Sequence, residues 1–384
     1  MASYTTNFVE ADGLNIFYRE AGQQDAPKIV LLHGFPSSSH QFRHLIPILS
    51  KKYHVLAPDL PGFGFTEVPE TRKYKYTFEN IATSIEAFLD VLKIKKFSVY
   101  VFDYGAPTGF RIALRRPEAI QAIFSQNGNA YEAGLGSPWN PLRAYWASGS
   151  DADRATVAAG FLTLESTKWQ YTNGSTAVVA PEAYYLDYFL ISRPGNHEIQ
   201  LDLFYDYQEN VKLYPEFQEY FRKSQVPLLA VWGKNDEIFV KEGAEAFKKD
   251  LPKAEVHLLD TGHFAEETNT AEIGSLMLSF LEKNGIWEGN GLNKKGSVVG
   301  GKGKLFAANK QTTLIPNNFL QSATENTTSY WEFFFFNFFF SGGARMSKSG
   351  LRIEKDRLRS AWTTKKSSYF CPTSILDLMH AMWQ

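Results

Sequence analysis

Along residues 1–286 the apolar positions fall into short runs set between longer amphipathic stretches. Residues 14–19, 28–32 and 53–57 are short apolar strands, the last running into the turn Pro58-Asp-Leu-Pro-Gly-Phe-Gly64. Residues 78–92 place apolar side chains at helical spacing. Residues 97–102, FSVYVF, are β-rich and almost continuously apolar, which predicts a strand buried on both faces. A helix over 108–116 and a strand over 119–125 follow. Later come strands at 227–231 and 255–259, with helices over 241–250 and 271–283. Strands joined by helical crossovers predict an α/β fold, a mostly parallel central sheet flanked by helices.

Two regions break this rhythm. Residues 130–220 are rich in Tyr and Trp and read as an inserted helical cap, leaving 1–129 and 221–286 as the core. Residues 287–384 open on a Gly/Lys/Asn stretch and later reach WEFFFFNFFF over 331–340, which has neither a helical nor a strand period. No motif falls in this tail, and it is expected to be a disordered appendage outside the fold.

Charge sharpens the division. The chain of 384 residues carries 40 Lys+Arg and 41 Asp+Glu, a net charge of −1, which gives no general electrostatic case for nucleic-acid binding. Residues 288–384 hold 13 basic and 6 acidic residues, leaving 27 and 35 in an acidic body. The single cysteine, Cys371, excludes an intramolecular disulfide and a thiolate metal cluster. The N-terminus has no secretory pattern. No apolar run reaches the roughly 18 residues a bilayer span requires. The C-terminus Ala-Met-Trp-Gln is not a peroxisomal address. A cytoplasmic protein is expected. Oligomeric state is not legible.

In open α/β sheets, ligands bind beyond the carboxyl ends of the strands. Four such ends carry chemistry. His33-Gly-Phe-Pro36 follows the strand at 28–32, and its glycine lets the chain turn an N–H into a cavity. Asp103-Tyr-Gly105 lies between a strand and a helix, where a sharp turn lifts the central side chain above the sheet. The helix start behind it favours negative charge. Trp232-Gly-Lys-Asn-Asp236 and Thr261-Gly-His-Phe264 follow the last two strands.

In this order, HGFP, DLPGFG, an elbow, WGKND and GHF resemble the α/β-hydrolase fold over residues 1–286. The elbow holds Asp103 where esterases hold Ser, and no G-x-S-x-G occurs elsewhere. It therefore resembles the branch of epoxide hydrolases, haloalkane dehalogenases and haloacetate dehalogenases. A carboxylate is ionised at neutral pH and needs no base to attack. It suits displacement at an sp³ carbon.

The resemblance implies a triad of Asp103, Asp236 and His263, with no cofactor and no metal. Asp103 forms an alkyl ester with the substrate; His263, oriented by Asp236, activates the water that hydrolyses it. The backbone N–H groups of Phe35 and Tyr104 form the oxyanion hole.

The leaving group is less directly readable. Haloalkane dehalogenases characteristically place Trp after the nucleophile and often Asn after the His-Gly; here Tyr104 and Phe35 stand there. Haloacetate dehalogenases carry Arg after the nucleophile and again three residues later, where this chain has Tyr104 and Pro107. Epoxide hydrolases use cap tyrosines to protonate the opening oxygen, one in a segment resembling W-Y-R-N. Asp206-Tyr207-Gln208-Glu209-Asn210 corresponds to it here. Two departures count against this match: Val101 stands where Gly is usual two residues before the nucleophile, and Tyr104 stands in place of Trp. Tyr145 and Tyr171 are both candidates for a second cap tyrosine.

The expected function is hydrolysis of an epoxide to a vicinal diol on a small, largely apolar substrate, with Tyr207 as acid. A dehalogenase using the same triad is the alternative. A ligand-binding protein with little turnover is the alternative of another class. Other polar residues have simpler roles: His33 is expected to brace the loop carrying Phe35, Ser37–Ser39 to make turn and cap contacts, and Glu237 to be solvated. Because every motif falls before residue 287, a chain ending there should fold, stay more soluble, and keep the full chain's activity. Loss of folding on truncation, read by circular dichroism, would place the tail in the core.

Overall fold

A computed structural model describes residues 4–286; the tail at 287–384, with its phenylalanine run, lies outside the described residues. Eight strands form one sheet: β1 (Thr5–Ala11), β2 (Leu14–Ala21), β3 (Lys28–Leu32), β4 (His54–Pro58), β5 (Phe97–Phe102), β6 (Ile120–Gln126), β7 (Leu228–Gly233) and β8 (Glu255–Leu259). Their order is β1-β2-β4-β3-β5-β6-β7-β8. β2 runs antiparallel to both neighbours, and the six strands from β4 to β8 are parallel. β5 and β7 are buried along their whole length, as their unbroken apolar runs require.

Helices close both faces. They are α1 (Ile46–Leu49), α2 (Phe78–Val91), α3 (Gly105–Arg115), α4 (Asn140–Ser148), α5 (Asp151–Phe161), α6 (Leu164–Thr172), α7 (Pro181–Ile191), α8 (Asn196–Ser224), α9 (Glu242–Asp250) and α10 (Ala265–Lys283). The aliphatic residues of each strand divide between two buried clusters. One gathers Val30, Leu32, Val99 and Val101 with α2 and α3; the other gathers Ile29, Leu31, Tyr100 and Phe102 with α1 and α10. This is the period-2 alternation of a sheet covered on both sides. Among the described residues no helix is long and apolar enough to cross a membrane.

The region between β6 and β7 is helical, as its composition predicts, and holds α4 to α8. Three of the ties between α8 and the core lie in the N-terminal half of the helix. Gln200 Nε2 donates to the Gly62 carbonyl at 3.1 Å. Asp206 Oδ2 accepts the Phe78 N–H at 2.8 Å, at the start of α2. Asn210 Oδ1 accepts from Arg111 Nη1 of α3 at 2.6 Å. The last two anchors flank Tyr207 and fix its place on the helix.

The structure also adds to and moves elements. β1 was not expected; it pairs with β2 through a two-residue turn at Asp12-Gly13, both with positive φ. α3 starts at Gly105 and not at 108, because Pro107 falls in the first turn, where a missing N–H costs nothing. α10 starts at Ala265, and its first turn is set off from the rest by non-helical Asn269.

Candidate active site

The elbow is built by β5 and α3. Asp103 holds φ at +48, a left-handed conformation that side chains other than glycine seldom adopt. Two glycines make room for it. A Cβ on Gly34 would lie 2.3 Å from Asp103 Oδ1 and 2.5 Å from the Tyr104 nitrogen; one on Gly105 would lie 2.3 Å from the Leu32 carbonyl oxygen. The loop after β3 can therefore press against the elbow, and the Phe35 N–H donates to Asp103 Oδ1 at 2.5 Å.

The loop is braced from behind. The Leu60 N–H donates to His33 Nε2 at 2.9 Å, so the ring's proton is on Nδ1, which faces the Gly34 carbonyl at 3.1 Å. Asp59 accepts the N–H groups of Ser39 and Phe65, joining this loop to the turn after β4. Ser37 Oγ donates to Gly34 O, and Ser38 accepts the His40 N–H. These side chains make loop contacts, as read from the sequence.

Asp236 and His263 come from the ends of β7 and β8. His263 Nδ1 lies 2.7 Å from Asp236 Oδ2, and Asp236 Oδ1 accepts the Ile238 N–H at 2.7 Å. With Nδ1–H held by the carboxylate, the lone pair is on Nε2, which has no partner in the protein. Glu237 is exposed, as expected.

The three groups are sealed from water: Asp103 is 5% exposed, Asp236 4% and His263 2%. Burial raises the Asp103 pKa to about 6, against the opposing pull of His263 and the Phe35 and Tyr104 N–H groups. Burial pushes His263 down, but Asp236 and then Asp103 push it further up, so it titrates above the ordinary imidazole value.

Tyr207 is wholly buried on α8. Its ring lies 5.6 Å from that of Tyr104, 4.4 Å from Trp139 and 5.4 Å from Phe78. Its hydroxyl approaches that of Tyr214 without reaching hydrogen-bond geometry, and makes no hydrogen bond. Burial, first, and then Tyr214 and Asp103 keep the phenol protonated far above its ordinary range. Tyr104, beside the nucleophile, also has a buried hydroxyl without a partner. The two other candidate tyrosines have engaged hydroxyls. Tyr145 Oη accepts from Arg154 at 3.3 Å, and Tyr171 Oη donates to Asp187 while its ring stacks on Phe264.

Trp169, Gln170 and Ile238 close over His263 and Asp236, leaving no room for a water molecule between them. A wider groove beside Leu114, Tyr220 and Val226 holds none of the triad. Among the described residues no three His, Cys, Asp or Glu side chains gather as a metal site.

The sequence profile of the alpha/beta hydrolase fold matches residues 27–270. The chain belongs to the α/β-hydrolase fold family. An uncharacterized hydrolase of Saccharomyces cerevisiae is 50% identical over 279 residues, 71% of this α/β-hydrolase and 95% of the yeast protein. A haloalkane dehalogenase of Bradyrhizobium diazoefficiens is 35% identical over 111 residues, 29% of this chain and 35% of that one. The solved structure of an epoxide hydrolase from Vigna radiata superposes with a TM-score of 0.58 at 25% identity, covering 74% of this chain and 99% of that one. Members of both chemistries are thus similar to this hydrolase.

The residues that sequence reasoning missed are Gln126 and Asn127, at the end of β6 and bonded to His263 and Asp236. Their one signal was the Asn-Gly turn that ends a strand. The packing of Gly34 yields a test. Gly34→Ala must push the loop off Asp103 and Tyr104, and a displacement of this size costs at least about 10²-fold in turnover. Steady-state rates on any accepted substrate would show it; undiminished turnover would mean that the loop is free to move.

Proposed function

We propose that this hydrolase opens epoxides to vicinal diols through an alkyl ester on Asp103. The observation that carries the reading is the free phenol of Tyr207, buried with the elbow and donating to nothing in the protein. An opening epoxide develops an alkoxide, far more basic than a phenolate, so it needs such a proton. A departing halide does not. The aromatic walls of Phe35, Phe63, Phe78 and Phe204 around Tyr104 suit a small apolar substrate.

The geometry supports a specific division of labour. Asp103 Oδ1 is held by the Phe35 N–H, so Oδ2 is the attacking atom. Oδ2 bonds to the epoxide carbon, the C–O bond breaks, and the oxygen takes the Tyr207 proton. The ester carbonyl oxygen is then Oδ1, already in the oxyanion hole. His263 Nε2 next removes a proton from water, which attacks that carbonyl carbon. The Phe35 and Tyr104 N–H groups stabilise the oxyanion until it collapses; the diol's alkoxide then leaves with the proton held by His263, and the proton of the new Asp103 carboxyl returns through water to the Tyr207 phenolate.

Dehalogenation by the same triad is the second reading, favoured by the dehalogenase relative above. Styrene oxide and a bromoalkane panel separate the two, and no turnover of either would favour a ligand-binding protein. His263→Gln should trap an adduct of one substrate mass on the peptide containing Asp103. Tyr207→Phe should slow alkylation by an epoxide by roughly 10²–10⁴-fold while sparing a bromoalkane. Equal loss on both substrates, or none on the epoxide, would remove Tyr207 from the mechanism.

The titrations predict where the ester accumulates. Asp103 must be ionised to attack, so alkylation falls as pH drops through about 6. Hydrolysis needs neutral His263, whose raised pKa delays that step to higher pH. Rapid-quench mass spectrometry should therefore find more adduct in mild acid, just above pH 6, than at alkaline pH. Adduct levels independent of pH would contradict this order.

A further inference from the structure

β6 ends at Gln126, and Asn127 leaves it in a left-handed conformation, φ +47. Both side chains are fully buried. Asn127 Oδ1 accepts the Gly233 N–H at 2.9 Å and Gln126 Nε2 at 2.6 Å. A backbone N–H can only donate, so this atom is the amide oxygen and the amide nitrogen must face the other way. There Asn127 Nδ2 donates to Asp236 Oδ2 at 2.7 Å, the same oxygen that meets His263 Nδ1. Gln126 is oriented by the same reasoning. Its Nε2 also donates to the His263 carbonyl at 2.8 Å, and its Oε1 accepts from Tyr100 Oη at 3.3 Å.

We propose that Asn127, assisted by Gln126, is a positioning residue for ester hydrolysis, clamping the acid and the backbone of the base to the end of β6. The inference rests on the triad reading above but not on the leaving group. Asp236 alone could turn about its two side-chain bonds. The Ile238 N–H holds one oxygen and Asn127 holds the other, so the carboxylate presents one fixed site to the imidazole. The second hydrogen bond on Oδ2 also spreads its charge. The imidazole meets that oxygen with the proton on Nδ1 and keeps the lone pair on Nε2. Gln126 meanwhile fixes the main chain of the loop that carries His263. An aspartate at 127 would offer no donor here unless protonated. The β6 end thus calls for a carboxamide.

The role predicts a split between the two half-reactions. Alkylation by Asp103 uses no base, whereas ester hydrolysis depends on the aim of His263. Asn127→Gly removes the amide while tolerating the left-handed backbone. With an epoxide or bromoalkane that the wild type turns over, rapid-quench mass spectrometry should show alkylation nearly unchanged. Hydrolysis should slow by about 10²-fold, so ester accumulates in a protein that still has His263. The downfield proton resonance of His263 Nδ1–H should shift or broaden in the same variant. Equal slowing of both half-reactions, or an unmoved resonance with no accumulated ester, would overturn the proposal and leave Asn127 as a packing residue. If Asn127→Gly fails to fold, Gln126→Met keeps the turn and the bond to Asp236, and the same split is expected of it; slowing without a split there is equally contrary. Failure of the triad reading shows separately, because His263→Gln would then trap no ester on Asp103, and this inference would fall with it.

Discussion

Asp103 must stand in a left-handed conformation, with another loop pressed against it, before any other part of the site has meaning. That placement is local strain, of the order of 1–3 kcal/mol for such a residue, and the surrounding packing sustains it. β5 is fully buried below; α3 begins directly above; Gly34 and Gly105 remove the atoms that would collide. The Phe35 N–H then reaches the carboxylate. The proposed nucleophile and the proposed oxyanion hole are thus one structural event. The bracing of the loop by His33 and Asp59 serves the same contact from one layer further out.

Burial gives that contact its chemical character. A carboxylate in water is a poor nucleophile because it is well solvated. Asp103 is instead sealed in and held by N–H dipoles, with His263 as the nearby positive charge when protonated. The same enclosure separates the behaviour of the two acids. Asp103 rises toward neutrality, while Asp236 is held by three donors: His263, Asn127 and the Ile238 N–H. In the proposed mechanism the two aspartates take different roles: Asp103 meets N–H groups of the elbow and the adjacent loop, whereas both oxygens of Asp236 are already engaged by His263, Asn127 and Ile238.

The sequence exposed the parts of this design that are local in the chain. Strand ends, the elbow at 103, Asp236 and His263 all sit where short motifs put them, each just beyond the end of a strand. β1 stayed hidden because it is a half-exposed edge strand whose alternation mixes Thr, Asn and Glu with Phe and Val. Gln126 and Asn127 stayed hidden for a different reason. Their role lies in contacts 106 to 137 residues away along the chain, and a Gln-Asn-Gly segment alone reads as a turn. The second tyrosine could not be chosen from the sequence, since the choice depends on what each hydroxyl touches. Tyr145 and Tyr171 are occupied, one by Arg154 and one by Asp187.

That occupancy bears on the leaving group. A buried hydroxyl with no partner costs about 1–3 kcal/mol, so a fold tolerates one where a ligand will satisfy it. Near the elbow two such hydroxyls stand together, those of Tyr104 and Tyr207, on rings 5.6 Å apart. Indole or amide N–H groups would serve a halide, which asks only for weak donors. Phenols can also release a proton, and an epoxide oxygen asks for one at the moment its carbon is attacked. In the proposed epoxide reading, Tyr207, held by the Asp206 and Asn210 anchors, offers its unsatisfied donor to the opening oxygen.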